Sequence, residues 1–370
     1  LRLFEGHHED AIAEAQTALG MLEHEARAAR AEAQRLIGKA YVGLGRFAEG
    51  ATRLQEALLL YRQVGSPYDT VNLLQDLVSA LTAQGRFDEA SACLDEALAI
   101  GRRLGAPTQL AGVLNDAGCL HYARGEYREA LALYEEGMSA ARRGGDLRLQ
   151  AYISVGMADL YRDVGAYQRA AHLYNTGWQI AQGSEPGLAV YILAAQADMY
   201  RWQGDHARAL VSLEQGHQLA QERSLDFERR GMLAMAKGVV LAEGGEVEAG
   251  LQILTNAIRF LEQRQAKREL ARARFLLAKA HSLAGDKPQA IAELSRTMTL
   301  AGEIGTDQFA VVEGQHAEGL LRSGTAAGMA GCRTSAERVQ RLRAFGKEQV
   351  RENVTAGEES PAGRLEIDAL

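Results

Sequence analysis

The chain has 370 residues, of which 47% are hydrophobic and 6% aromatic, and its formal net charge is −7. This charge argues against a general nucleic-acid-binding surface, since such surfaces are normally basic. No apolar run approaches the roughly 18 residues of a membrane span, no signal peptide is recognisable, and three scattered cysteines favour a reduced, cytoplasmic setting.

A glycine recurs every 39 to 41 residues, and Ala or Gly follows it five residues later. These anchor glycines are Gly6, Gly45, Gly85, Gly125, Gly165, Gly204, Gly245 and Gly285. Apolar residues recur at helical intervals on both sides of each anchor, as in 108–125 and 127–143. Each unit is therefore predicted to be two antiparallel helices that turn at the anchor, where glycine accepts the left-handed conformation that ends a helix.

Further glycines and prolines predict the helix boundaries. Residues 1–5 match the last turn of a first helix, so the first repeat is expected to be truncated. Pro67, Pro107 and Pro186 each stand 18 residues before an anchor, at the expected start of a first helix. A second glycine set, which falls 20 residues after anchors, is expected to end the second helices: Gly65, Gly105, Gly145 and Gly305.

The repeat resembles the tetratricopeptide repeat in its small and large positions. Seven residues before the anchor stands a small residue in most units, such as Gly38 or Ala158, and nine after it stands Leu or Tyr, such as Leu54 or Tyr134. HEAT and armadillo repeats share the length but do not predict these small positions. The resemblance implies an all-α fold, a right-handed superhelical solenoid of antiparallel helix pairs with repeats of about 40 residues.

The C-terminal part is predicted to differ from the regular repeats. The array should span 1–332, with a degenerate ninth unit that has a helix over 308–321 and its anchor at Gly324. A capping helix is expected over 333–352, starting at the capping box Thr334-Ser-Ala-Glu337. A linker over 353–363 and the first strand of another domain over 364–370 would follow. The basic surface of the capping helix leaves DNA contact as an alternative, although its glutamates dilute the charge.

No catalytic motif, phosphate loop or paired-cysteine site is recognisable, so we predict no enzyme activity, no cofactor and no metal. His8, His121 and His281 replace aromatic packing residues of other repeats and are interpreted as packing residues. Cys119 is interpreted as an inert thiol.

The remaining functional signal is the predicted concave face, which the first helix of each pair should line. Mixed amide, aromatic and charged groups suit a peptide or protein segment. The candidate binding residues are Asn72, Gln75, Asn115, Tyr122, Tyr152, Asp159, Arg162, Tyr191, Asp198, Arg201 and Trp202. The pairs Asp159/Arg162 and Asp198/Arg201 have an alternative role, because residues at i, i+3 also stabilise their own helix.

Turns of the form Gly-(Arg/Glu/Ala)-(Phe/Tyr)-x-x-Ala in such arrays resemble the sensor segments of large bacterial LuxR-type (maltose-activator-like) and SARP-type transcriptional regulators. The tail 364–370 resembles the first strand of a SARP-type winged helix. The resemblance implies a non-enzymatic sensor or interaction scaffold with a protein or peptide partner, or a small-molecule inducer, and DNA contact only through domains outside the chain. A passive assembly adaptor and a peptide-regulated quorum-sensor protein remain alternatives.

Overall fold

The computed structural model describes residues 8–223, 225, 227–263 and 267–359, and within these ranges every regular element is an α-helix. The first nine helices are α1 (His8–Met21), α2 (Arg27–Gly43), α3 (Phe47–Val64), α4 (Pro67–Ala83), α5 (Phe87–Leu104), α6 (Pro107–Arg124), α7 (Tyr127–Gly144), α8 (Leu147–Asp163) and α9 (Tyr167–Ser184). The remaining helices are α10 (Pro186–Trp202), α11 (His206–Glu222), α12 (Phe227–Glu243), α13 (Val247–Gln263), α14 (Lys267–Leu283), α15 (Lys287–Ile304), α16 (Gln308–Gly314), α17 (Glu318–Ala326) and α18 (Ala330–Glu359).

Helices pack in sequential pairs, α2 with α3 through α14 with α15, which confirms the predicted all-α array of helix pairs. The turns form where the glycines predict them. The anchors from Gly45 to Gly285 have φ between +74° and +100°, and the second set from Gly65 to Gly305 has φ between +62° and +75°. Gly6 and the predicted helix end over 1–5 lie outside the described residues.

Small residues let the two helices of a pair approach closely, as predicted. A Cβ added at Gly38 would lie 2.7 Å from Leu54 Cγ and 3.1 Å from the carbonyl oxygen of Gly50. A Cβ at Gly50 would in turn lie 3.0 Å from the carbonyl oxygen of Gly38. Leu54 itself is fully buried.

The superhelix returns to its early repeats after the seven pairs from α2/α3 to α14/α15. The carbonyl oxygen of Ile304, at the end of α15, occupies the space that a side chain at Gly85 would need. Thr306 then donates a hydrogen bond to the carbonyl of Ala123 (3.2 Å). The helices α16–α18 continue across the array, so the inner surface becomes a groove with α16 on one side.

The predicted ninth unit is wrong in detail. The single helix expected over 308–321 is divided into α16 and α17 by a break at 315–317. Gly324 lies inside α17, where a Cβ would clash with Cys332, and the left-handed turn is made by Gly328 (φ +84°). The glycine spacing therefore misplaces the turn by four residues.

The capping-box prediction is also wrong. Helix α18 begins at Ala330, so Thr334 lies within its first turns, and Thr334 Oγ1 donates to the carbonyl of Ala330 (3.3 Å). The helix continues to Glu359, into the segment predicted as a linker. The strand predicted over 364–370 lies outside the described residues, and the division into domains stays a prediction.

Candidate functional site

The inner surface contains two adjoining cavities of about 1250 Å³ and about 290 Å³, which together we call the inner groove. Tyr122, Tyr191, Met232, Met235 and Arg268 line both. The larger cavity also has walls from the first repeats and from the end of α15. A ligand in it would touch repeats that are far apart in the sequence.

Asp116 supplies a carboxylate to the larger cavity. Its Oδ2 accepts a hydrogen bond from Gln75 Nε2 (2.8 Å) and its Oδ1 accepts one from Asn115 Nδ2 (3.3 Å). Among the described residues, no cationic side chain forms an ion pair with it. Enclosure by protein therefore raises the pKa of Asp116 from 3.8 to about 6.

The equivalent carboxylate one repeat earlier has a different environment. Asp76, 40 residues before Asp116, pairs with Arg35 Nε (2.6 Å) and Lys39 Nζ (2.9 Å). These partners come from the preceding repeat, 41 and 37 residues before Asp76. The same two positions before Asp116 hold Gln75 and Ser79, which carry no charge.

A buried network surrounds Asp159 beside the groove. Asp159 accepts hydrogen bonds from Tyr174 (2.5 Å) and Tyr191 (2.6 Å), and it pairs with Arg162 (3.1 Å). Arg162 also pairs with Asp163 at 2.8 Å. Burial raises the pKa of Tyr174, so its hydroxyl stays protonated and donates to the carboxylate. One guanidinium thus faces two carboxylates, and burial raises the pKa of Asp163.

A second buried network ties the array to α16. Arg201 has a fully buried side chain and pairs with Asp198 (2.9 Å), Glu243 (2.9 Å) and Glu313 (2.7 Å), the last from α16. Lys279 Nζ lies 2.5 Å from Glu243. Burial alone would raise the pKa of Glu313, but Arg201 and Lys279 hold that pKa well below its usual range.

The structure places most of the predicted binding residues on the inner groove. Nine of the eleven line one of its cavities: Gln75, Asn115, Tyr122, Tyr152, Asp159, Arg162, Tyr191, Asp198 and Trp202. Asn72 instead accepts a hydrogen bond from Gln109 (3.4 Å). For Arg201 the prediction of a ligand-facing position is wrong, because its side chain is enclosed by three carboxylates.

Two residues of the site were missed by sequence reasoning. Asp116 stands nine residues before its anchor, a position not expected to face inwards. Glu313 lies in the irregular ninth unit, where the repeat gives no register. Asp116 could have been found from the sequence by comparison with Asp76. Basic residues stand 41 and 37 residues before Asp76 but not before Asp116.

The histidines interpreted as packing residues lie in structural contacts, and His281 Nδ1 is 3.8 Å from Asp286. His8 packs against Gly43, and His121 Nδ1 lies 2.7 Å from Glu126. Cys119 faces the groove, where the surrounding protein raises the pKa of its thiol to about 11, so little reactive thiolate forms near neutral pH. Within the described ranges, no cluster of potential metal ligands and no helix able to cross a membrane is found.

The sequence model of the tetratricopeptide repeat matches residues 29–103 and 69–143. The match covers residues 29–143, and the same sequential pairing of helices continues beyond them to α15. Comparison with curated proteins finds no match.

Several solved structures share this fold at low sequence identity. The Rap protein complexed with Competence and Sporulation Factor has a TM-score of 0.70 at 15% identity, covering 81% of each chain. The apo quorum sensor NprR from B. thuringiensis has a TM-score of 0.59 at 16% identity, covering 79% of this chain and 81% of that one. The Rap conjugation gene regulator of plasmid pLS20, in complex with the Phr* peptide, has a TM-score of 0.50 at 16% identity, covering 82% and 71%.

Proposed function

We propose that this array is a non-enzymatic regulatory protein that binds a short peptide in the inner groove, with a positively charged group of the peptide at Asp116. The observation that carries the proposal is the enclosed carboxylate without a cationic partner among the described residues. A bound ammonium or guanidinium group would supply the missing charge. Charge pairing in such an enclosed place is stronger than in water.

The other groups of the groove suit a peptide as well. Gln75 and Asn115 are amides beside Asp116 and can pair with a peptide backbone, which exposes both donors and acceptors. Tyr152 and Tyr191 add rigid aromatic area. Two of the similar structures were solved with a regulatory factor or peptide, and a third is a quorum sensor, which supports a peptide-regulated protein over the sensor of a larger transcriptional regulator.

The test uses two defined peptide pools and three forms of the full chain. One pool contains random hexapeptides with free amino termini; the other is N-acetylated and lacks Lys, Arg and His. Wild-type protein, D116N and D76N are incubated with each pool, and retained peptides are identified by mass spectrometry after size exclusion.

We expect the wild type and D76N to retain peptides from the first pool only, and D116N to bind the same peptides about tenfold or more weakly. If D116N retains the peptides as strongly as the wild type, Asp116 is not part of the binding site. If neither pool is retained by the wild type, the peptide-binding function is wrong and the passive assembly adaptor becomes the better interpretation.

We also propose that the array acts in the cytoplasm and signals by conformation rather than by catalysis. Charged groups beside the groove, such as Asp159 with Arg162 and Glu313 with Arg201, are engaged in ion pairs that hold the fold. The resemblance to LuxR-type and SARP-type sensor segments motivates a link to transcription. A reporter gene whose output is the same in cells with wild-type protein and with D116N would contradict a role of the groove in that link.

A further inference from the structure

Exposed apolar side chains are concentrated on one edge of the array. The turns α3–α4, α5–α6 and α7–α8 join successive helix pairs at residues 62–68, 102–108 and 142–148, and together we call them the rim. Among the described residues, the rim contains four of the eight large apolar side chains that are exposed to solvent. These four are Val64 (42% exposed), Tyr68 (55%), Leu104 (39%) and Leu147 (61%).

The three turns of the rim contact one another and form a continuous row. Gln109 Nε2, in the first turn of α6, donates a hydrogen bond to the carbonyl oxygen of Tyr68 (3.0 Å). A Cβ added at Gly144, the last residue of α7, would lie 3.1 Å from the backbone nitrogen of Thr108. The exposed apolar side chains therefore share one surface, and contiguous apolar surface with polar neighbours is typical of interaction sites.

Arginines lie along the same row, and two of them bridge to the following helix pair. Each of these two ion pairs joins an arginine to a glutamate 34 residues later. They are Arg62 with Glu96 (2.6 Å) and Arg102 with Glu136 (3.5 Å). The third arginine of the series, Arg142, has Thr176 at the same separation along the chain. The series of ion pairs is therefore interrupted at Arg142.

The rim is basic although the chain as a whole is acidic. It holds six arginines and one aspartate, which gives it a formal charge of +5 in a chain of net charge −7. The aspartate, Asp146, accepts a hydrogen bond from the amide of Leu149 (2.9 Å) and caps α8. Three of the arginines pair with glutamates outside the rim. The other three, Arg103, Arg142 and Arg143, are exposed and have no carboxylate partner within the described ranges.

Helix geometry alone does not explain this composition. A cation in the last turn stabilises a helix, and the three arginines without a carboxylate partner stand in the last turns of α5 and α7. An exposed leucine or tyrosine beside them contributes no such stabilisation. The equivalent turns later in the array, at residues 182–188 and 302–308, contain no arginine or lysine. The rim is thus a feature of the first half of the array.

We propose that the rim is a docking surface for a protein partner, and that it binds an acidic segment with apolar side chains between its carboxylates. Arg103, Arg142 and Arg143 supply charge-assisted hydrogen bonds to carboxylates. Tyr68 and Leu147 supply apolar contact area, and both tyrosine and arginine are enriched at protein interfaces.

A protein segment fits the rim better than nucleic acid does. Apolar side chains add nothing to phosphate binding, and the net charge of −7 opposes a DNA duplex. The rim is also separate from the inner groove, since none of its residues lines either cavity. The docking surface therefore goes beyond the function proposed above and does not depend on it.

The test selects binders from a library of displayed random dodecapeptides on the immobilised full chain. D116N serves as the bait, so that recognition by the carboxylate in the inner groove is reduced. Enriched peptides are synthesised, and their affinities for the soluble chain are measured by fluorescence anisotropy. In the D116N background, R142Q/R143Q is compared with R259Q/R322Q, which loses the same charge at exposed arginines outside the rim, and L147S is compared with L283S at another exposed leucine.

We expect the enriched peptides to combine several Asp or Glu residues with Leu or aromatic residues. R142Q/R143Q and L147S should bind them about tenfold or more weakly than the D116N parent, whereas R259Q/R322Q and L283S should bind them as the parent does. Because all the substituted side chains are exposed, thermal unfolding followed by circular dichroism should have the same midpoint in every variant.

The proposal is overturned if no peptide is enriched, if the enriched peptides lack acidic residues, or if the control variants weaken binding as much as the rim variants. A DNA duplex of mixed sequence is the second probe. Binding of the duplex by the parent and its loss in R142Q/R143Q would assign the rim to nucleic acid and overturn docking of a protein. The peptide retention that tests Asp116 is a separate measurement, so either proposal can fail without the other.

Discussion

Replacing Asp116 by Asn tests whether the unpaired carboxylate in the groove lowers the free energy of unfolding of the folded chain. Enclosure raises the pKa of this carboxyl from 3.8 to about 6 in the folded chain. A difference of about 2 in pKa corresponds to about 3 kcal/mol, and incomplete burial lowers the realised effect, so we expect D116N to raise the free energy of unfolding by about 1–3 kcal/mol at pH 7.5.

The gain in unfolding free energy from D116N should become smaller as the pH falls. Because the folded pKa is raised, the charged carboxylate destabilises the folded chain fully above pH 6, and protonation removes this penalty as the pH falls from 6 to 3.8. The difference in unfolding free energy between D116N and the wild type should therefore shrink over that interval. Urea denaturation followed by circular dichroism at several pH values measures it.

The matched control is D76N, one repeat earlier. Asp76 has two cationic partners, so its replacement should lower the free energy of unfolding by about 1–3 kcal/mol. Opposite signs for two identical substitutions at equivalent positions would follow only from their different partners. Destabilisation by both substitutions would refute the reasoning about Asp116.

Three further predictions concern stability and its relation to binding. Glu313→Gln removes one of the three carboxylates that pair with buried Arg201 and should lower the free energy of unfolding by about 1–3 kcal/mol in urea denaturation; an unchanged or raised free energy of unfolding would contradict a stabilising network. Ala130→Leu overpacks a fully buried position and should cost about 1–3 kcal/mol, whereas Ala92→Leu at an exposed position should cost little. Gln75→Arg should give the enclosed carboxylate an internal partner, raise the unfolding free energy by about 1 kcal/mol and weaken peptide retention; unchanged retention would argue against charge recognition there.

Local rules account for the part of the fold that the sequence predicts. Gly45 and Gly65 adopt the left-handed turns that their spacing indicates, and Pro67 starts a helix because a first-turn residue needs no amide hydrogen. The C-terminal segment α16–α18 could not be predicted in this way. Its path depends on contacts such as Arg338 with Arg124, which are 214 residues apart, and no repeat spacing encodes them.

The candidate site was predictable where a residue's face follows from its place in the repeat, as for Gln75 and Tyr191. The prediction failed where contacts with other charged residues determine whether a side chain faces the groove. Arg201 has the right register for the groove, yet carboxylates from α12 and α16 surround it. Whether a charged residue binds a ligand or holds the fold depends on which other charges reach it, and the helical period alone does not contain that information.

The spacing between repeats supplies part of this missing information. Contacts between first helices of successive units recur at 41 and 37 residues, as in Arg35 and Lys39 with Asp76 and in Gln75 with Asp116. The amino-acid sequence alone therefore indicates, at these two offsets, whether a charge has a partner in the preceding repeat. In this array the offsets separate Asp76, which pairs with Arg35 and Lys39, from Asp116, which has no cationic partner among the described residues. The proposed binding site of this array therefore lies where the pattern of internal charge pairing is interrupted.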